Sequence, residues 1–195
     1  MSLSLTTETL SKYKYNRYFL ETGTFTGGGV EIARLCGFEQ IISIEADKRL
    51  YDGVVKNYKG CNNIQLYLGD SEVVLPKIIK DINEPITFWL DSHIVDMNKE
   101  IAKEISNREI PLVQELLAIK EHPIKTHTIL IDDRRMMGMT QGYYGSRWGG
   151  WITTEWADIS EQLIMDIIFE INSDYEIVYE DTVNAKADII VAKPK

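Results

Sequence analysis

Cysteine is scarce in this chain, and neither Cys36 nor Cys61 falls in a metal-ligand or redox spacing. That excludes a disulfide scaffold and a zinc module, and it points to a reducing compartment. Positive charge is also in deficit: 21 Lys and Arg face 30 Asp and Glu, for a formal net charge of −9. No basic stripe offsets that balance, which argues against a sequence-independent grip on phosphate backbones. Nucleic acid is therefore not an expected partner, whereas a small molecule is. Long apolar runs, signal-peptide patterns and lipidation motifs are missing too, so no membrane partner is expected and the cytoplasm is the expected location. Internal repeats, low-complexity tracts and linkers are absent as well. Residues 1–195 are read as a single domain, large enough for a sheet covered by helices on both faces.

What is present is alternation. Strand-like runs at 17–21, 40–45, 63–68, 86–91 and 127–132 alternate with helix-like runs at 28–36, 47–58, 75–82, 107–121 and 157–172. This is the pattern of a parallel α/β sheet. Asp47 is placed to cap the second helix, whose Tyr51, Val54, Val55 and Tyr58 share a face. Pro76 is expected in the first turn of the third helix, since an interior proline disrupts the hydrogen-bond ladder. The fourth has Pro111 near its start and Val113, Leu116 and Leu117 as its apolar stripe, and the fifth repeats Ile159, Leu163, Ile167 and Ile171. The end of the chain breaks the alternation. Tyr175 to Glu180 and Asp188 to Ala192 are strand-like with only a short polar run between them, so an antiparallel hairpin is expected. The predicted fold is a doubly wound, Rossmann-like sheet of seven strands, mostly parallel, closed by that hairpin.

The most informative stretch joins the first strand to the first helix: Phe19-Leu20-Glu21-Thr22-Gly23-Thr24-Phe25-Thr26-Gly27-Gly28-Gly29. Glycines let the backbone approach a ligand, and the helix beyond offers unpaired N–H groups. A carboxylate at the strand end repels a pyrophosphate but suits a cationic amine. In a doubly wound sheet, ligands bind beyond the carboxyl ends of the strands. Every one of the five strands delivers an acid to that rim: Glu21, Glu45, Asp70, Asp91, and the Asp132-Asp133 pair.

From Arg17 onward these motifs resemble those of class I S-adenosylmethionine-dependent methyltransferases. The Glu21-x-Gly23-x-x-x-Gly27 pattern is similar to the family's first motif. The resemblance implies that Glu21, Thr22, Gly23, Thr24 and Gly27 surround the methionine part of the cofactor, with Asp91 nearby. Glu45 stands where the family places an acid that binds both ribose hydroxyls; an acid at a helix start would also occur for the dipole alone. Asp70 and Ser71 resemble the adenine-contacting motif, and the same residues suit a helix cap.

Asp91, Asp132 and Asp133 resemble the acidic set of the divalent-metal-dependent O-methyltransferases of the catechol and macrolide-sugar groups. The resemblance implies Mg²⁺ or another divalent cation holding the acceptor oxygens, with S-adenosylmethionine as methyl donor. Asp132 and Asp133 could instead pair with Arg134 and Arg135. The lysine expected shortly after the fourth-strand aspartate is missing, with Ile94 near its place. That leaves His93, beside Asp91, as the nearest catalytic base, or as a partner for adenine or a carbonyl. His122 and His127 lie on the opposite rim and are expected to be structural.

The stretch from Met136 to Trp156 carries Tyr143, Tyr144, Trp148, Trp151 and Trp156 among glycines. It is read as a lid over the acceptor, a sugar or a phenol, or as a homo-oligomer interface. A nicotinamide-dependent oxidoreductase is the competing enzyme class, opposed by Glu21 and by the terminal hairpin. A cofactor-binding module without turnover is the third reading.

Overall fold

The structure is a computed structural model that describes residues 4–93, 108–139 and 155–195. Its elements in chain order are α1 (Thr7–Lys12), β1 (Tyr18–Thr22), α2 (Gly28–Leu35), β2 (Gln40–Glu45), α3 (Lys48–Val54), β3 (Ile64–Leu68), α4 (Ser71–Ile79), β4 (Ile86–Leu90), α5 (Leu112–Glu121), β5 (Thr128–Ile131), α6 (Glu161–Ile171), β6 (Glu176–Glu180) and β7 (Ile189–Lys193). The strands form one sheet in the order β3-β2-β1-β4-β5-β7-β6, in which β7 runs antiparallel to both β5 and β6. The expected fold class is the one observed, including the terminal hairpin. Neighbouring β1 and β4 carry connections that leave in opposite directions, so the switch point lies between their carboxyl ends.

Period-two alternation divides the core into two layers. Leu20, Phe88, Leu90, Ile129 and Ile131 face α4, α5 and α6. Phe19, Trp89 and Leu130 face the layer of α1 and α2. The same parity decides where the polar residues at the strand ends go. Glu21 follows Phe19 into the α2 layer, while Thr22 follows Leu20 toward α5.

Several local expectations are corrected. Helix α4 starts at Ser71, capped by Asp70, so Pro76 sits inside it and not in its first turn. The buried positions of α5 are Leu112, Glu115, Leu116 and Ile119, and Leu117 is exposed. The buried stripe takes in the acid Glu115, which an apolar pattern does not register. Helix α6 begins at Glu161 with Ser160 as its cap, and a separate 3₁₀ turn covers Glu155–Asp158. Helix α1, capped by Thr6, was not anticipated; six residues are too few for an apolar period to show. Tyr13, at the end of α1, packs in the core and donates to Glu180.

His122 and His127 are buried at the far end of the sheet, as expected. Ile86 N–H donates to His127 Nδ1 at 3.1 Å. That leaves His127 Nε2–H to donate to His122 Nδ1 at 3.0 Å, and His122 Nε2–H to reach the carbonyls of Ile79 and Ile82. The relay assigns each ring nitrogen a role and ties β4, β5 and the ends of α4 and α5 together. Among the described residues, no helix is long and apolar enough to cross a membrane.

Candidate active site

The loop after β1 is shaped by close approach. Gly23 has φ +85°, and a Cβ there would lie 2.4 Å from the Asp91 carbonyl oxygen. The loops after β1 and β4 therefore touch backbone to backbone at the switch point, which only glycine permits. Gly27 caps α2 in the left-handed region, and a Cβ there would press on Val54. Below the loop, Glu21 is buried in register with Ser43, whose hydroxyl donates to it at 2.7 Å. Thr24 Oγ1 continues that chain to Ser43 Oγ. Burial pushes the Glu21 carboxyl up to about 8, against the pull of Ser43 and of the Val30 N–H, with the Glu45 charge adding to the rise. Glu21 thus supports the start of α2 from beneath. Gly29 is the residue that makes room, since its Cβ would fall 1.8 Å from Glu21 Oε2.

Glu45, at the end of β2, is also buried. Its Oε2 accepts the Phe25 N–H at 2.7 Å and its Oε1 accepts the Asp47 N–H at 2.8 Å. It links the glycine loop to the start of α3, and burial raises its pKa despite those bonds. A carboxylate has about four lone-pair sites, so Glu45 keeps acceptor capacity for a ligand donor. At the end of β3, Asp70 caps α4 through the Glu72 N–H, and buried Ser71 lies 3.2 Å, Oγ to Oγ, from Ser92 after β4.

The three donors that converge are Asp91, His93 and Asp133, whose ligating atoms lie within 4.8 Å of one another. His93 Nε2 is 3.0 Å from Asp133 Oδ2 and 3.8 Å from Asp91 Oδ1. Asp132 is not among them: it is hydrogen-bonded by Ser4, and its Oδ1 is buried without a partner. Of the expected three aspartates, Asp91 and Asp133 converge with His93, while Asp132, close enough for its charge to raise the Asp91 pKa, turns its side chain to Ser4. Asp133 stands in the left-handed region, with its Oδ1 held by Arg135 at 2.7 Å. Arg134 pairs with Glu161. Burial alone would lower the His93 pKa, but the Asp133 hydrogen bond and the charges of Asp133, Asp91 and Asp132 raise it to about 9. His93 is then an imidazolium at neutral pH. Burial and the Asp132 charge hold Asp91 well above the usual carboxylate range.

Sequence reasoning missed Glu115 and the position of Trp156. A pocket runs from Asp91, Ser92 and His93 past Ile110 and Leu112 to Glu115, Asp132, Asp133 and Trp156. Trp156 is buried in the core, so it is not part of an exposed aromatic face. Tyr143, Tyr144, Trp148, Trp151 and Ile94 lie outside the described residues.

A parallel sheet with its last strand inserted antiparallel, and a glycine loop at its switch point, is the class I methyltransferase fold. Solved structures agree. The S-adenosylhomocysteine-bound methyltransferase PaMTH1 of Podospora anserina superposes with a TM-score of 0.60 at 14% identity, over 97% of this chain and 76% of that one. The O-methyltransferase TomG of Streptomyces achromogenes, in complex with S-adenosylmethionine, gives 0.59 at 11% identity, over 99% and 82%. The 23S rRNA methyltransferase ErmE gives 0.53 at 16% identity, over 100% and 70%. No protein-family model and no curated protein sequence matches the chain.

Proposed function

We propose that this protein transfers a methyl group from S-adenosylmethionine to a hydroxyl of a small molecule, with a divalent cation held by Asp91, His93 and Asp133. The observation that carries the reading is the switch-point cleft: a glycine loop in backbone contact with the loop after β4, flanked by Glu45 and by the Asp91–His93–Asp133 convergence. The residues suit the cofactor. Gly23 and Gly27 let the loop after β1 pack on the loop after β4 and on α3, Glu45 keeps acceptor capacity for a ribose hydroxyl, and Ser71 would lie beside adenine. S-Adenosylmethionine supplies an activated methyl on a sulfonium. The protein contributes alignment, worth up to ~7–11 kcal/mol for well-oriented reactants. Relatives in fold act on small molecules and on RNA alike, and the net charge of −9 favours the former here. Calorimetry tests the cofactor first: S-adenosylhomocysteine should bind, and Glu45→Ala should weaken it by about 1–3 kcal/mol through loss of a charged hydrogen bond. NAD binding more tightly than S-adenosylhomocysteine would refute the assignment.

The donor set sharpens the metal. Two carboxylates with an imidazole suit Mn²⁺, Fe²⁺ or Zn²⁺ better than Mg²⁺, which prefers oxygen ligands alone. Such an ion would lower the pKa of a bound hydroxyl. Occupation requires His93 to release its proton, so metal affinity should rise with pH up to about 9. Titration with Mn²⁺ at pH 7 and pH 9 should show the increase, and Asp133→Asn should weaken binding at least tenfold. A second reading is favoured by Arg135 and His93, which already neutralise Asp133. In it the imidazolium is the built-in counter-cation and no metal is needed. Absence of Mn²⁺ binding, with full turnover in chelator across an acceptor panel, would select that alternative.

A further inference from the structure

The terminal hairpin does more than close the sheet. Because β7 runs antiparallel to β5, the start of β7 lies beside the end of β5, next to the Asp133 loop. Asp188, immediately before β7, is fully buried and meets that loop at three points. Its carbonyl accepts the Arg134 N–H at 2.9 Å, its Oδ1 accepts the Arg135 N–H at 3.2 Å, and its Oδ2 accepts from Arg135 Nη1. The Thr182 hydroxyl, from the turn of the hairpin, donates to the same Oδ2 at 2.7 Å. The other guanidinium nitrogen, Arg135 Nη2, lies 2.7 Å from Asp133 Oδ1. Asp133 Oδ2 faces His93 Nε2 at 3.0 Å. A planar guanidinium fixes the angle between two carboxylates that it bridges, which an ammonium on a flexible stem does not. Asp133 itself stands at φ 60°, a strained conformation for this residue type that persists only where the surroundings over-determine it. The hairpin supplies that constraint through Arg134 and Arg135.

We infer that Asp188 is a positioning residue for the candidate active site: through Arg135 it aims the Asp133 carboxylate, so that one oxygen is held and the other faces His93. This deepens the proposed function, and rests on it, by giving the terminal hairpin a part in the site. Asp188 acts through the guanidinium and is not itself a ligand to metal or acceptor. A hairpin that needed only a counter-ion for Asp188 would be served by a single pair, whereas here each carboxylate takes a different nitrogen of one fork. The charges fit the same role. Arg135 divides its positive charge between two carboxylates, so the trio stays anionic and Asp133 Oδ2 keeps its attraction for a cation, imidazolium or metal. Burial would raise the Asp133 pKa, yet His93 and Arg135 hold it below the usual carboxylate range.

The test exploits the three histidines of the chain. Imidazole resonances in ¹⁵N NMR spectra of the protein alone report the site through His93, assigned by their loss in His93→Gln. His122 and His127, at the far end of the sheet, are internal controls. Asp188→Asn keeps the shape and removes the charge, so the His93 resonances should shift while those of His122 and His127 stay in place. Mn²⁺ affinity, by calorimetry, should fall about tenfold or more in that variant, as for other residues that orient a metal ligand. Affinity for S-adenosylhomocysteine should stay within about twofold. In an Arg135→Met background the route is gone, so adding Asp188→Asn should change Mn²⁺ affinity by less than about twofold and leave the His93 resonances unmoved. Unmoved His93 resonances in the single variant Asp188→Asn would overturn the inference, and so would wild-type Mn²⁺ affinity there. Equal effects of Asp188→Asn with and without Arg135 would also overturn it, by showing that Asp188 acts through its charge or through stability alone. Absence of Mn²⁺ binding to the wild-type protein would remove the metal from the proposed function, and failure of S-adenosylhomocysteine to bind would sink the methyltransferase reading. In either case the resonances of the protein alone still decide the inference. If Asp188→Asn does not fold, Arg135→Lys decides: it keeps the charge but cannot bridge two carboxylates, so unmoved His93 resonances in it would overturn the inference.

Discussion

Replacing Gly23 by alanine is expected to abolish S-adenosylhomocysteine binding and to cost about 3–5 kcal/mol of stability, from positive-φ strain together with overpacking. Both causes act at one atom. The backbone is at φ +85°, and the new Cβ would lie 2.4 Å from a main-chain oxygen that cannot swing aside. Relief requires the loops after β1 and β4 to separate, and with them Asp91 and His93. Urea unfolding measures the stability, and calorimetry on protein folded at low temperature measures the binding. Gly53→Ala is the control. That glycine lies inside α3 with no atom near a Cβ, so alanine should be neutral or stabilising by up to about 1 kcal/mol. Wild-type affinity in Gly23→Ala would mean the loop does not approach the cofactor.

Acid should destabilise the fold through His127. Burial lowers its pKa to about 3, with further lowering by His122 and Lys125. The geometry gives the same direction, because Nδ1 accepts the Ile86 N–H and has no room for a proton. In the unfolded chain the group titrates near 6.5. Between the two values the unfolded state holds the extra proton, so the stability present above about pH 6.5 is lost as the pH falls toward 3, by up to about 5 kcal/mol in total. From pH 7.5 to pH 4, the wild-type protein should lose about 3 kcal/mol more than His127→Gln, in which the titrating group is gone. Parallel stability curves for the two proteins would show that the relay does not carry the acid sensitivity.

The sequence was legible where one local rule dominates. Strand periodicity, the glycine loop, the Asp47 cap and the absence of a helix between the last two strands each leave a mark within a few residues, and together they determine a seven-stranded methyltransferase-like fold. Glu45 and Asp91 could be named because a strand end is where a carboxylate meets the rim. Pro76 was misplaced by a rule that is sound for isolated helices, whereas tertiary packing holds a helix around this one.

The rest was decided only when the layers packed. The Asp132 side chain is hydrogen-bonded by Ser4, and the groups that converge are Asp91, His93 and Asp133. No sequence pattern announces that His93 and Asp133, far apart in the chain, meet at 3.0 Å. The burial of Glu115 is the clearest case. An acid in a helix reads as a solvated residue, and only the packing of α5 against the ends of β1 and β4 turns it inward. Sequence by itself determined which strand ends carry acids; the twist and stacking of the sheet decided which of those acids share a pocket, because burial and distance belong to residues that the chain keeps apart.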